Sequence, residues 1–345
     1  MHLIDNPHRG GAKLAPDAPY PSTDAARVAD LLGQCPMAGE TPLVRMAGAP
    51  GQVWVKDERT RMGLGSFKAL GAAYVIARQA VRAATPPGPQ ALQGRTYITA
   101  SAGNHGLSVA AGARVFGAQA VVCIADTVPE SFAERLRAKG ATPLRAGATY
   151  ADSMAEAARL AEENGWTLLS DSSWPGYTEL PHMLMEGYLQ MIAEAGAQIP
   201  EPPTHLFLQA GVGGLAGAVA AYARKLWGDA PRIIVVEPEA APALQASITA
   251  GHCVFADGPD SVMGRLDCKE PSLIALNGLG RDADAFLTLA DAEVEAALPV
   301  LAAAGLETSA SGGAGLAAAL NPEVRAALAM PDDARVLCFL SEGPA

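Results

Sequence analysis

The chain has 345 residues and carries 36 Asp plus Glu against 25 Lys plus Arg, a formal net charge of −11. Half of the residues are hydrophobic, 5% are aromatic and 18% charged, and Gly (36) and Pro (26) are frequent. That apolar content excludes a disordered acidic tail, the many breakers exclude a coiled coil, and the acidic balance lacks the basic stripe of a nucleic-acid binder. No run approaches the roughly 18 apolar residues of a membrane span, and Met1-His2-Leu3-Ile4-Asp5-Asn6-Pro7 has no basic region ahead of an apolar one, so neither a span nor a signal peptide is expected. The five cysteines, at 35, 123, 253, 268 and 338, form no CxxC pair and fit reduced, packed thiols in a cytoplasmic protein.

The first informative stretch is Gly63-Leu64-Gly65-Ser66-Phe67-Lys68, which leads into a helix predicted over residues 69–79. An amine at the positive end of a helix is disfavoured as an ammonium, which helps make a nucleophile of Lys68; an ordinary solvated lysine is the alternative. The run Ala84-Thr85-Pro86-Pro87-Gly88-Pro89-Gln90 cannot continue a helix, because proline lacks the donor and clashes with the preceding turn. A strand follows over Thr96–Ala100, then Ser101-Ala102-Gly103-Asn104-His105-Gly106, opening a second helix. Ser101, the free amides and Asn104 there can hold a carboxylate or a polar ring substituent, whereas His105 alone fits a packed or capping residue.

Farther along, a strand is predicted over 120–124 and helices over 130–139 and Tyr150–Asn164. In the latter, Ala151, Met154, Ala158 and Leu160 recur near helical spacing, and Gly165 ends the run by taking positive φ. A single helix is expected over 178–194, and Pro200–Thr204 marks a break. The strand over 206–209 runs directly into Gly211-Val212-Gly213-Gly214-Leu215, ahead of a helix over 216–227. Successive amides aimed from a helix start make a phosphate cradle; a tight turn with no ligand is the alternative. The glycine spacing departs from the GxGxxG of a dinucleotide fold, although Glu237, after a strand over 232–236, stands where an acidic ribose ligand would be wanted. A last strand is predicted over Arg335–Leu340. No HxxH or HExxH spacing suggests a metal, and neither a GxSxG elbow nor a P-loop is present.

This alternation implies an α/β fold around largely parallel sheets. Its punctuation suggests that residues 92–182 form a small domain with its own sheet, and that 1–91 plus 183–345 form a larger one.

Taken in order, these elements resemble the pyridoxal phosphate enzymes of fold type II, the threonine dehydratase and tryptophan synthase β class. The match runs from Thr41-Pro42-Leu43 through Val55-Lys56-Asp57-Glu58 to Leu340-Ser341-Glu342-Gly343. Within the class the chain is most similar to the diaminopropionate ammonia-lyases. That likeness is carried by Phe67-Lys68-Ala69-Leu70-Gly71, Trp174-Pro175-Gly176-Tyr177-Thr178, the glycine loop, Val235-Val236-Glu237-Pro238 and the stretch Met263-Gly264-Arg265-Leu266-Asp267-Cys268-Lys269-Glu270-Pro271-Ser272.

The resemblance implies two domains, each an open and mostly parallel sheet flanked by helices, with pyridoxal 5'-phosphate in the cleft between them. Lys68 would carry the cofactor with Phe67 beside it, Gly211, Val212, Gly213, Gly214 and Leu215 would hold the phosphate, Asn104 would meet the ring hydroxyl and Ser341 the ring nitrogen. Ser101, Ala102, Gly103 and His105 would grip the substrate carboxylate. Asp171 matches an acidic base of the ammonia-lyases, and a turn cap is the other role open to it.

The implied reaction is β-elimination from a small β-substituted amino acid, giving a 2-oxo acid and ammonia. A dehydratase acting on serine, threonine or 3-hydroxyaspartate and a β-replacement synthase share its first half. A fold that has lost its chemistry and a dinucleotide oxidoreductase are rivals of other classes. The expected assembly is a homodimer, on the general prevalence of two-fold pairs.

The chain departs from the ammonia-lyase pattern twice. Ala102 stands where those enzymes have an aspartate that serves one substrate enantiomer, and Gly264-Arg265 replaces a small Ala-Gly pair. Arg265 could pair with a second substrate carboxylate, as in a 3-substituted aspartate, or instead turn to solvent or to Asp267 or Glu270.

Overall fold

A computed structural model of the chain describes residues 1–84 and 86–344; Thr85, within the proline-rich run expected to stop the first long helix, lies outside the described residues. The strands are β1 (His2–Asp5), β2 (Leu43–Arg45), β3 (Gln52–Asp57), β4 (Thr96–Ala100), β5 (Gln119–Ile124), β6 (Thr142–Arg145), β7 (Thr167–Leu168), β8 (His205–Gln209), β9 (Arg232–Pro238), β10 (Ala285–Leu289) and β11 (Arg335–Leu340). They form a seven-stranded sheet in the order β1-β10-β9-β8-β11-β3-β2 and a four-stranded sheet in the order β6-β5-β4-β7. Among the described strands only the edge pairs β1–β10 and β2–β3 are antiparallel, and every other strand pairing is parallel.

Parallel strands are covered by helices on both faces, so their sequences read as unbroken apolar runs, as in Leu206-Phe207-Leu208 and Ile233-Ile234-Val235-Val236. The two-residue period still sorts them. Leu206, Leu208, Ile233, Val235, Leu337 and Phe339 face a core that also takes in helix Lys68–Ala83, while Phe207, Ile234, Val236, Val336, Cys338 and Leu340 face the helices after β10. In the small sheet Tyr97, Val122 and Ile124 join the first of these cores, and Ile98, Ala100 and Cys123 pack with Ala157 and Ala161 of helix Tyr150–Asn164. The two sheets therefore share one apolar layer, and a site at its edge is held from both sides.

Helix Tyr150–Asn164 begins at a capping box in which Thr149 and Asp152 satisfy each other's backbone amides, and it ends at Gly165 with φ +65°. The single helix expected over 178–194 is instead two, Glu179–Gly187 and Leu189–Gln198, with the Tyr188 amide bonding back to Met185 at 3.1 Å. A Cβ on Gly187 would lie 2.7 Å from the Leu70 carbonyl oxygen, so this glycine lets the two backbones touch. The break follows at Tyr188.

The turn that delivers Lys68 is fixed from below by buried charges. Arg61 pairs with Glu58 and Glu194 at 2.7 Å each, Lys56 pairs with Glu194 at 2.6 Å, and Thr41 Oγ1 donates to Glu58. All four charged side chains are at most 2% exposed. Satisfied in this way, they lock the 3₁₀ turn Glu58–Gly63 against helix Leu189–Gln198.

Candidate active site

The carboxyl ends of β4, β8 and β11 and the loop after β3 converge, the position in open α/β sheets where ligands bind. The Lys68 loop is stitched to the end of β11: Phe67 N donates to the Ser341 carbonyl at 3.1 Å, Gly343 N donates to Gly65 O at 3.2 Å, and Ser66 bridges to Glu342. Lys68 opens helix Lys68–Ala83. Its Nζ lies 2.5 Å from Asp171 Oδ2, just past β7 in the small sheet, and 5.2 Å and 5.9 Å from the ring centres of Phe67 and Tyr188.

The sequence argument that the helix start would favour a neutral Lys68 is overturned. Burial does push the ammonium down, but the charge and hydrogen bond of Asp171 outweigh it, and Lys68 is held above its ordinary range. Burial pushes the Asp171 carboxyl up in turn, and the charge and hydrogen bond of Lys68 bring it below the usual carboxylate range. The partner that reverses the expectation lies 103 residues away in the chain.

After β4, Ser101 Oγ accepts from the amides of Gly103 (3.1 Å) and Gly106 (3.0 Å) and so caps helix Asn104–Val115. His105 is 5% exposed, donates from Nε2 to the Leu169 carbonyl at 2.8 Å, and is kept neutral by burial. It is a packed histidine whose Nδ1 has no partner. Ala102 is exposed and Gly103 is extended at the helix start. Asn104 Nδ2 donates to Glu342 Oε2 at 2.6 Å.

Between β8 and helix Gly214–Trp227, Gly213 has φ +94°, which aims the first amides of the helix outward. A Cβ on Gly211 would stand 2.9 Å from Cys268 Sγ, a thiol that burial pushes up to about 12. Tyr188 lies against this cradle, its Cε2 3.4 Å from where a Gly214 Cβ would be, and its buried hydroxyl has no hydrogen-bond partner. A glycine-lined helix start, a buried phenol lacking an acceptor and an amine nearby fit a phosphorylated aldehyde such as pyridoxal phosphate.

Glu237 does not face this loop. Its carboxylate, 1% exposed, accepts from Leu244 N (2.7 Å) and Gln245 N (2.8 Å), capping helix Ala243–Ala250, and burial pushes it up to about 8. The acidic ligand that a dinucleotide would need is thus spent on a helix cap.

Arg265 turns neither to Asp267, which pairs with Lys269 at 2.6 Å, nor to Glu270. Its Nη1 donates to Glu342, and its Nε lies 3.5 Å from where a Gly103 Cβ would stand. Glu342 is 4% exposed and also accepts from Ser309 Oγ. Sequence reasoning singled out neither Glu342 nor Tyr188. The first had a signal, its place beside Ser341 in the terminal motif; the second had none.

A family model described as pyridoxal-phosphate dependent enzyme matches residues 35–342. The diaminopropionate ammonia-lyase of Salmonella typhimurium is 34% identical over 283 residues, covering 76% of this chain and 68% of that protein. The crystal structure of holo diaminopropionate ammonia lyase from Escherichia coli superposes with a TM-score of 0.88 at 27% identity, over 99% of this chain and 93% of that one. The same enzyme with an aminoacrylate–PLP intermediate gives 0.85 at 28% identity, over the same shares.

Proposed function

The chain belongs to the pyridoxal-phosphate dependent enzyme family, and on that basis we propose that it is an ammonia-lyase that eliminates the β-substituent of a small amino acid of the 2,3-diaminopropionate type, yielding a 2-oxo acid and ammonia. The observation that carries the proposal is the 2.5 Å contact of Lys68 Nζ with Asp171 Oδ2 beside the glycine loop. An amine able to hold the cofactor and a carboxylate able to take a proton stand at one point, which is what α-proton removal requires.

In this proposal Lys68 would hold the cofactor, the amides of Gly211, Val212, Gly213, Gly214 and Leu215 would hold its phosphate, Asn104 would meet the ring hydroxyl, Ser341 the ring nitrogen, and Phe67 would lie alongside. When bound, pyridoxal phosphate supplies the electron sink that makes an amino acid's α C–H bond acidic. Asp171 Oδ2 would take the proton from the α-carbon, and Nζ, once neutral, would be the second base of the pair. Protonated Nζ can return its proton to the departing β-nitrogen. The α C–H and β C–N bonds break, and water then replaces the α-nitrogen, so both nitrogens leave as ammonia. The amides at the start of helix Asn104–Val115, in the loop of Ser101, Ala102, Gly103 and His105, receive the substrate carboxylate. Ala102 supplies no second acid, so only one enantiomer of diaminopropionate is turned over. We expect a homodimer of such sites.

The test is a panel of 3-amino-, 3-hydroxy- and 3-thio-substituted amino acids and 3-substituted aspartates, both enantiomers of each, assayed for 2-oxo acid and ammonia. Fastest turnover of one enantiomer of 2,3-diaminopropionate is the expected result. Turnover confined to 3-hydroxy acids would make the protein a dehydratase and overturn the proposal.

A further inference from the structure

Glu342 is a heavily hydrogen-bonded carboxylate beside the Lys68 loop. It is 4% exposed, and its side chain accepts from Asn104 Nδ2 at 2.6 Å, from Arg265 Nη1 and from Ser309 Oγ. These donors come from different places: Asn104 follows β4 in the small sheet, Arg265 lies between β9 and β10, and Ser309 caps helix Ala310–Leu320. The backbone of Glu342 is also fixed, its carbonyl accepting from Thr308 Oγ1 at 2.6 Å.

An ionised carboxylate only accepts hydrogen bonds, whereas an asparagine amide has a donor end and an acceptor end that differ little in shape. A carboxylate at this point therefore decides which end of Asn104 faces it. The NH₂ has two hydrogens; Glu342 takes one and leaves the other as a donor. A buried carboxylate keeps its charge only with a counter-charge, and Arg265 is the cation in contact with it. Arg265 and Ser309 hold Oε1 of the carboxylate, which leaves Oε2 turned to Asn104; without Arg265 that orientation is no longer fixed.

We propose that Glu342 is a positioning residue that turns the Asn104 NH₂ toward the cofactor's ring hydroxyl, and that Arg265 is the counter-charge that holds Glu342 Oε1 so that Oε2 faces Asn104. The inference rests on the cofactor assignment above, and it gives Arg265 a role other than reading a second substrate carboxylate.

The experiment measures pyridoxal phosphate affinity by titrating cofactor-free protein and following visible absorbance, with no substrate present. Arg265→Met and Glu342→Gln should each weaken binding at least tenfold. In Glu342→Gln the arginine claims the new amide oxygen and presents its NH₂ to Asn104, reversing that residue. The double variant frees the glutamine to offer its oxygen to Asn104, and its affinity should return to within about threefold of the parent. Asn104→Ala should show the same loss as the single variants, which keeps the test open if Glu342→Gln does not fold. Parent-like affinity in the single variants, with Arg265→Met raising only a substrate KM, overturns the proposal in favour of substrate recognition. Losses that simply multiply in the double variant overturn it too. If the unmodified protein takes up no pyridoxal phosphate, the cofactor assignment itself has failed, and that result differs from either of these.

Discussion

Replacing Asp171 with asparagine should pull apart two properties that are joined at Lys68. The ammonium and carboxylate are 2.5 Å apart and only 22% and 17% exposed. With charge centres about 4 Å apart and an effective dielectric near 20, the attraction is about 4 kcal/mol, or roughly three pH units on Lys68. Asparagine keeps a hydrogen bond but not the charge, so we expect a fall of about two units, with burial then free to push the amine lower still. Only the neutral amine attacks an aldehyde. In stopped-flow uptake of pyridoxal phosphate by cofactor-free protein, the variant's pH profile should move about two units toward acid and its rate at neutral pH should rise about 100-fold. Turnover should meanwhile fall by a factor on the order of 100 or more, because the proton acceptor is gone. An unshifted uptake profile would refute the claim that Asp171 is what holds Lys68 charged. The pair also has a stability signature. Lys68 is raised and Asp171 depressed, so the full contribution is present between about pH 4 and pH 10. It is lost as pH falls through the lowered Asp171 value or climbs through the raised Lys68 value.

Other consequences can be checked by thermal or denaturant unfolding and by cofactor retention. Arg61→Ala leaves Glu58 and Glu194 buried without their main partner and should cost about 3–5 kcal/mol in urea unfolding; a loss under 1 kcal/mol would show that the network is dispensable. Glu237 is raised from 4.5 to about 8, so the unfolded chain sheds this proton first and stability falls as pH rises across that window. Glu237→Gln should then gain on the parent by a few kcal/mol at the upper end and little at the lower end, and a gain independent of pH would contradict that. Tyr188→Phe removes a buried hydroxyl that has no partner, so Tm should hold or rise while dialysis strips the cofactor faster; unchanged retention would mean the phenol does not contact the phosphate.

Sequence by itself determined the elements with strong local signals. Strands β4 and β11 begin and end where their apolar runs do, helix Tyr150–Asn164 is bounded by its capping box and Gly165, and the glycine loop sits between a buried strand and a helix start. Family likeness added the cofactor, which no spacing alone implied. The edge strands β1, β2, β6 and β7, of two to four residues each, were not legible, because so few residues carry no periodicity and their pairing is set by neighbours distant in the chain. The same distance hid the chemistry that matters most. Lys68 looked like an amine depressed by a helix start until Asp171 arrived from the other sheet, and nothing near Arg265 in the chain pointed to its contact with Glu342. Protonation and amide orientation follow from Coulomb forces over a few ångströms, and only the tertiary fold decides which charges come that close.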